Sequence, residues 1–214
     1  MDRFQRCQKL FGEDYTKIQN AKILLFGVGG VGGHCLDALY RTGVKDITII
    51  DFDTYEISNQ NRQLGSDNIG ASKVKTLMDI YKGIKGFDLK VTPEWIETFD
   101  FSPYDVVIDA IDDIPAKVAI AQKAHKKLIS SMGGAKRIDP TKIRISSIWK
   151  THGDGFAKKF RYELKKVGFN KKFDVIFSEE LPVATCKELG SFVGVTGSFG
   201  LFIASHTIAK VLKQ

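Results

Sequence analysis

Six residues, Gly27-Val28-Gly29-Gly30-Val31-Gly32, set glycines at G-x-G-x-x-G spacing between an apolar run at 22–26 (KILLF) and a segment at 33–41 whose Leu36, Leu39 and Tyr40 recur at helical spacing. Strand before and helix after make this pattern a phosphate cradle. Gly27 permits the sharp turn, Gly29 lets phosphate approach the backbone beside Gly30, and Gly32 allows helix and strand to touch. The helix N-terminus adds N–H groups and partial positive charge. Asp51 ends the next β-branched run, 24 residues after Gly27, close to the spacing of about 20 at which an acidic side chain takes ribose hydroxyls. The competing role for Asp51 is a strand-end cap.

Behind Asp51 and Asp53 of the IDFD stretch come Asn59, Asn61, Arg62 and Gln63, and Lys73 opens a further segment after Gly70. An intact dinucleotide pyrophosphate seldom needs an arginine plus a lysine. Cleavage of a triphosphate develops charge that both stabilise, so these residues favour ATP turnover over nicotinamide chemistry. Asp109 and Asp112, in DVVIDAIDD, end another apolar run and are expected to face the same crevice. A carboxylate there suits magnesium, which prefers oxygen ligands and takes few from protein. Capping of the following helix by Asp112 or Asp113, ahead of Ile114-Pro115, is the rival use.

The elements that must position these groups alternate along the chain. Strands are expected at 22–26, 47–50, from Leu89 to Val91, 106–108, 128–131 and 143–149, with helices at 33–41, 71–84 and 116–127. That order predicts an α/β fold, a Rossmann-like doubly wound and mostly parallel sheet, with a less regular C-terminal part and a terminal helix at 198–212. One domain over 1–214 is expected, with a nucleotide-binding core at 1–150 and substrate-binding and dimerisation elements at 151–214. Lys158, Lys159, Arg161, Lys165, Lys166, Lys171 and Lys172 crowd a helix-like stretch past Lys150, ahead of an apolar run at 173–177.

The net charge of +7 over 214 residues favours an acidic partner, nucleic acid ahead of a membrane surface. Cys7, Cys35 and Cys186 are scattered without a CxxC pair, which excludes a disulfide framework and a four-cysteine zinc site and fits a reducing cytoplasm. The charged N-terminus lacks a secretory h-region. Residues 192–209, free of Asp, Glu, Lys and Arg, read as a buried turn and helix, and no stable membrane insertion is expected. His34, His206, Trp95 and Trp149 read as packing or capping residues.

GVGGVG, IDFD, SNQNRQ, GASKV and VIDAIDD, in this order, resemble the adenylating domain shared by ubiquitin-activating enzymes and bacterial sulphur-carrier adenylyltransferases. RFQRCQKLFGED, RTGVKDITIID, SSMGGAKRIDPTKIRI and GSFGLFIASHTIAKVLK make nearly the whole chain similar to the tRNA threonylcarbamoyladenosine dehydratases within that superfamily. The resemblance implies ATP held by Gly29 and Asp51, phosphates met by Arg62 and Lys73, magnesium at Asp112, and a homodimer in which Arg6, ahead of Arg3, reaches the partner subunit's phosphates. It implies activation of the threonyl carboxylate of a modified tRNA adenosine beside the anticodon, followed by ring closure with net loss of water. The nucleic-acid candidates are Lys158, Lys159, Arg161, Lys165 and Lys166, with a solvated helix face as their bland alternative. The same resemblance brings in a monovalent cation and sulphur-transfer proteins, on which the residues are silent. The alternative activity is adenylylation of a ubiquitin-like sulphur carrier's C-terminus, for which Cys186 is the working-cysteine candidate. Its competing reading is an inert thiol.

Overall fold

A computed structural model describes residues 2–183 and 188–213. Its strands are β1 (Lys22–Phe26), β2 (Asp46–Asp51), β3 (Lys85–Asp88), β4 (Val106–Asp109), β5 (Leu128–Ser131), β6 (Ile143–Ser147) and β7 (Asp174–Ser178). They form a seven-stranded sheet in the order β3-β2-β1-β4-β5-β7-β6, parallel throughout except where β6 runs antiparallel to β7. The fold is α/β and Rossmann-like. Because side chains alternate across a strand, β1 sends Ile23 and Leu25 into one apolar layer and Leu24 and Phe26 into the other.

Helices cover both faces. On the first lie α1 (Gln5–Phe11), α2 (Tyr15–Asn20), α3 (Gly32–Thr42), α4 (Lys73–Ile80) and α8 (Val193–Leu212). On the second lie α5 (Pro93–Thr98), α6 (Ile114–Ala124) and α7 (Gly155–Lys166). By length and composition α8 could cross a membrane, with a mean hydropathy of 1.3. Its Val195, Phe199, Ile203 and Val211 are instead buried in the first layer, and it packs along α3. A side chain at Gly200 would strike the Cys35 backbone nitrogen at 2.8 Å, so glycine there sets how closely the two helices approach.

Several expectations shift. The strand expected from Leu89 lies earlier, at Lys85–Asp88, because this edge strand exposes most of its side chains and carries no apolar run. The helix expected at 71–84 is shorter, with Ser72 capping the Lys75 N–H at 3.3 Å and Gly83 in the left-handed region just past its end. The terminal helix starts at Val193, five residues earlier than expected. Neither N-terminal helix was foreseen, and α1 buries no residue. Most of the apolar run expected at 173–177 lies within β7, which pairs with both β5 and β6.

Candidate active site

The C-terminal ends of β1, β2 and β4 open into a cleft of about 580 Å³. Its wall begins with the glycine loop. Gly27 has φ +80°, and a Cβ there would lie 2.7 Å from the Ala110 carbonyl oxygen. Gly29 and Gly30 line the cleft, whereas Gly32 lies below it at the start of α3, where a Cβ would overlap the Gly27 carbonyl oxygen. The glycines therefore divide between turn, open floor and helix–strand contact.

Asp51 caps the loop and lines the cleft at once. Its Oδ2 accepts the Val28 N–H at 2.7 Å and its Oδ1 accepts the Asp53 N–H at 2.9 Å. An ionised carboxylate has about four acceptor sites, so the two backbone donors leave capacity for a hydroxyl. The Asp53 carboxylate pairs with Lys73 Nζ at 2.8 Å, and the Asp53 carbonyl accepts the Lys73 N–H at 3.0 Å.

The segment between β2 and α4 folds back over the loop. Asn59 accepts the Glu56 N–H on its side-chain oxygen, and its carbonyl accepts the Arg62 and Gln63 N–H groups. Arg62 donates from Nη1 to the Ser58 carbonyl and to Asn61 Oδ1, both at 2.8 Å. Its stem lies against Gly30, where a Cβ would come within 3.2 Å. His34 Nε2 sits 3.1 Å from the Arg62 carbonyl, a capping contact. Asn59, Arg62, Gln63 and Lys73 all face the cleft, and the buried Gln63 Oε1 has no partner among the described residues.

Asp112 and Asp113 divide the two roles between them. Asp113 accepts the Ala116 N–H at 2.8 Å and caps α6, while exposed Asp112 lines the cleft and makes no side-chain hydrogen bond among the described residues. Asp109, expected in the same crevice, does not reach it. It is fully buried and pairs with Lys117 Nζ at 2.8 Å. The reason is the strand period: Asp109 shares the face of Val107, which packs in the second apolar layer.

Other expected residues lie elsewhere. Arg6 is exposed on α1 and is not among the residues lining this cleft. The Arg3 guanidinium stacks over Phe4 and Tyr40, about 5 Å from each ring. Cys186 lies outside the described residues. Cys35 is buried, and burial pushes its thiol pKa up.

Lys158, Lys159, Lys165 and Lys166 are exposed on α7, opposite its buried Ala157, Phe160 and Leu164, with Tyr162 between them. Arg161 departs from that face, half-buried and donating to Thr151 Oγ1. Lys171 and Lys172 lie beyond the helix. The sequence reading missed Phe52, Leu89 and Val91, which give the cleft an apolar side, and Thr196 of α8. It also missed Lys117, whose only signal is a charge inside the apolar run of α6.

Known proteins resemble this chain in sequence and in fold. The ThiF family model matches residues 3–214. The tRNA threonylcarbamoyladenosine dehydratase of Bacillus subtilis is 37% identical over an alignment covering 100% of this chain and 96% of that protein. The crystal structure of the Escherichia coli tRNA N6-threonylcarbamoyladenosine dehydratase, TcdA, in complex with AMP superposes with a TM-score of 0.93 at 32% identity, covering 99% of this chain and 94% of that one. The same enzyme in complex with ATP gives 0.92 at 32% identity, with the same coverage.

Proposed function

The chain belongs to the ThiF family, and we propose that it is an ATP-dependent enzyme that dehydrates threonylcarbamoyladenosine in tRNA, closing the threonylcarbamoyl group into a ring. The observation carrying this reading is the convergence of the glycine loop, Arg62, Lys73 and Asp112 on one cleft. The full-length likeness to dehydratases of that name supports the substrate.

A carboxylate is a poor electrophile because its leaving group would be oxide. The threonyl carboxylate oxygen therefore attacks the α-phosphorus of ATP, and pyrophosphate departs. The carbamoyl group of the same side chain then attacks the acyl-adenylate carbonyl, its N–H proton passes to solvent, and AMP leaves with the former carboxylate oxygen. Intramolecular attack supplies much of the rate, so no protein nucleophile is required. Arg62 and Lys73 neutralise charge on the phosphates. Asp51 holds the ribose and the glycine loop cradles the phosphates.

The chemistry of Asp112 fits magnesium, since its carboxylate is exposed in the cleft while Asp113 takes the cap. When bound, this ion would neutralise phosphate charge. The lysine face of α7 binds the tRNA backbone, and Arg6, exposed on α1 and absent from the lining of its own cleft, reaches the phosphates of a second copy in a homodimer. This makes the protein a ligase-type cyclase needing both subunits.

Incubation with ATP, magnesium and threonylcarbamoyl-modified tRNA, followed by mass analysis of the nucleosides, tests the reading. A modified adenosine lighter by one water is expected. An unchanged nucleoside, together with ATP–pyrophosphate exchange driven by a sulphur-carrier protein, would replace the proposal with the adenylyltransferase activity.

A further inference from the structure

The pair Lys117–Asp109 has no role in the reaction derived above, yet both side chains are completely shielded, with Nζ 2.8 Å from Oδ2. Burial pushes the ammonium's pKa down and the facing carboxylate opposes that shift. Desolvation offsets most of the attraction in such a pair, and apolar residues of similar volume often stabilise a fold as well. What the pair holds in place is therefore more informative than what it adds to stability.

Lys117 Nζ also donates to the Ile111 carbonyl at 3.2 Å and to the Ser131 carbonyl at 3.0 Å, so all three of its protons are used. Asp109 accepts Ser130 Oγ–H at 2.7 Å on one oxygen and the Ile111 N–H at 3.3 Å on the other. Ile111, the residue before Asp112, is thus gripped from both sides, its N–H by Asp109 and its carbonyl by Lys117. On the far side Asp113 is fixed as the cap of α6. Asp112 stands between two anchored neighbours, its carboxylate in the cleft without a hydrogen bond among the described residues and within electrostatic reach of Lys117.

We propose that Lys117 is a positioning residue for Asp112: with Asp109 it clamps the turn that presents the Asp112 carboxylate to the phosphate end of the cleft. The proposal rests on the reading that ATP and a divalent cation bind there. Side chains that orient a metal ligand typically contribute about 10–100-fold to metal affinity.

ATP binding by calorimetry, titrated across magnesium concentrations, tests it in Lys117→Met and in Lys117→Met/Asp109→Leu, which orphans neither charge. Affinity for ATP without magnesium should stay within about twofold of the parent, while half-saturating magnesium rises by about tenfold or more. Asp112→Asn should reproduce that loss, and adding Lys117→Met to it should cost little more. If the single variant melts too low to titrate, the double variant is measured in its place. A double variant with parental melting and a parental magnesium response overturns the proposal and leaves the pair a purely structural one. Failure of the underlying reading would look different: the parent itself would bind no ATP at any magnesium concentration.

Discussion

Lys73 Nζ lies 2.8 Å from Asp53 Oδ2, and the lysine is the buried partner, its side chain 6% exposed against 48% for the aspartate. A shielded ammonium paired with a carboxylate at the cleft wall is held in one orientation, and with little bulk water around it its field is only weakly screened.

Lys73→Ala should therefore lower turnover by about 100-fold or more, as expected for loss of a group that stabilises developing charge. Asp53→Asn keeps the cation but weakens its anchor, and should lower stability by about 1 kcal/mol. Steady-state kinetics and thermal melts separate the two. Equal loss of turnover without loss of stability in Asp53→Asn would mean that Asp53 itself meets the substrate.

The glycine loop gives a graded series. Gly32→Ala sets a methyl into the Gly27 carbonyl and should cost several kcal/mol or prevent folding. Gly30→Ala meets only the Arg62 stem, at 3.2 Å, so the fold should survive while Arg62 is displaced and turnover falls. Gly29→Ala has its nearest neighbour, Gln63, at 3.6 Å, so it should melt like the parent and bind ATP more weakly. Melting curves and ATP titrations read the order, and a Gly29→Ala protein with parental ATP affinity would remove the phosphate from that position.

How much of this was legible follows from distance along the chain. The loop, Asp51 and the β1–α3–β2 unit could be read because strand, glycines and helix are contiguous and their periodicities switch at the glycines. Asp112 could be located but not separated from Asp113, because adjacent aspartates before a proline satisfy the same capping pattern. The Asp109–Lys117 pair was misread since its partner lies on the next helix, and only the strand's two-residue period shows which way Asp109 points. α1 and β3 left no apolar signature, the first burying nothing and the second lying at an edge.

On α7, charge and affinity can be separated from fold. Lys158, Lys159 and Lys165 are exposed, whereas Arg161 is tied to Thr151. Replacing the three lysines with alanine should weaken tRNA binding for all sequences alike. It should also reduce the slope of log affinity against log salt by up to about two to three, somewhat under one unit for each phosphate no longer neutralised. Melting should be unchanged. Filter binding across a salt series checks this, and an unaltered slope would make the face a solvated one.

The far end of the sheet carries a pH-dependent tie. His206 Nε2 and Lys210 Nζ, both on α8, each lie 3.0 Å from Asp174 Oδ2 at the start of β7. The hydrogen bond from His206, with help from Lys210, holds the carboxyl at about 2, below its usual 3.8, against burial that works the other way. A depressed folded-state pKa adds stability that is complete above the unfolded value and disappears as pH falls through the folded one. Asp174→Asn should therefore melt a few degrees below the parent at neutral pH, and the two curves should converge as pH falls from about 4 toward 2. Parallel melting profiles over that window would mean that the carboxylate does not anchor α8 to the sheet.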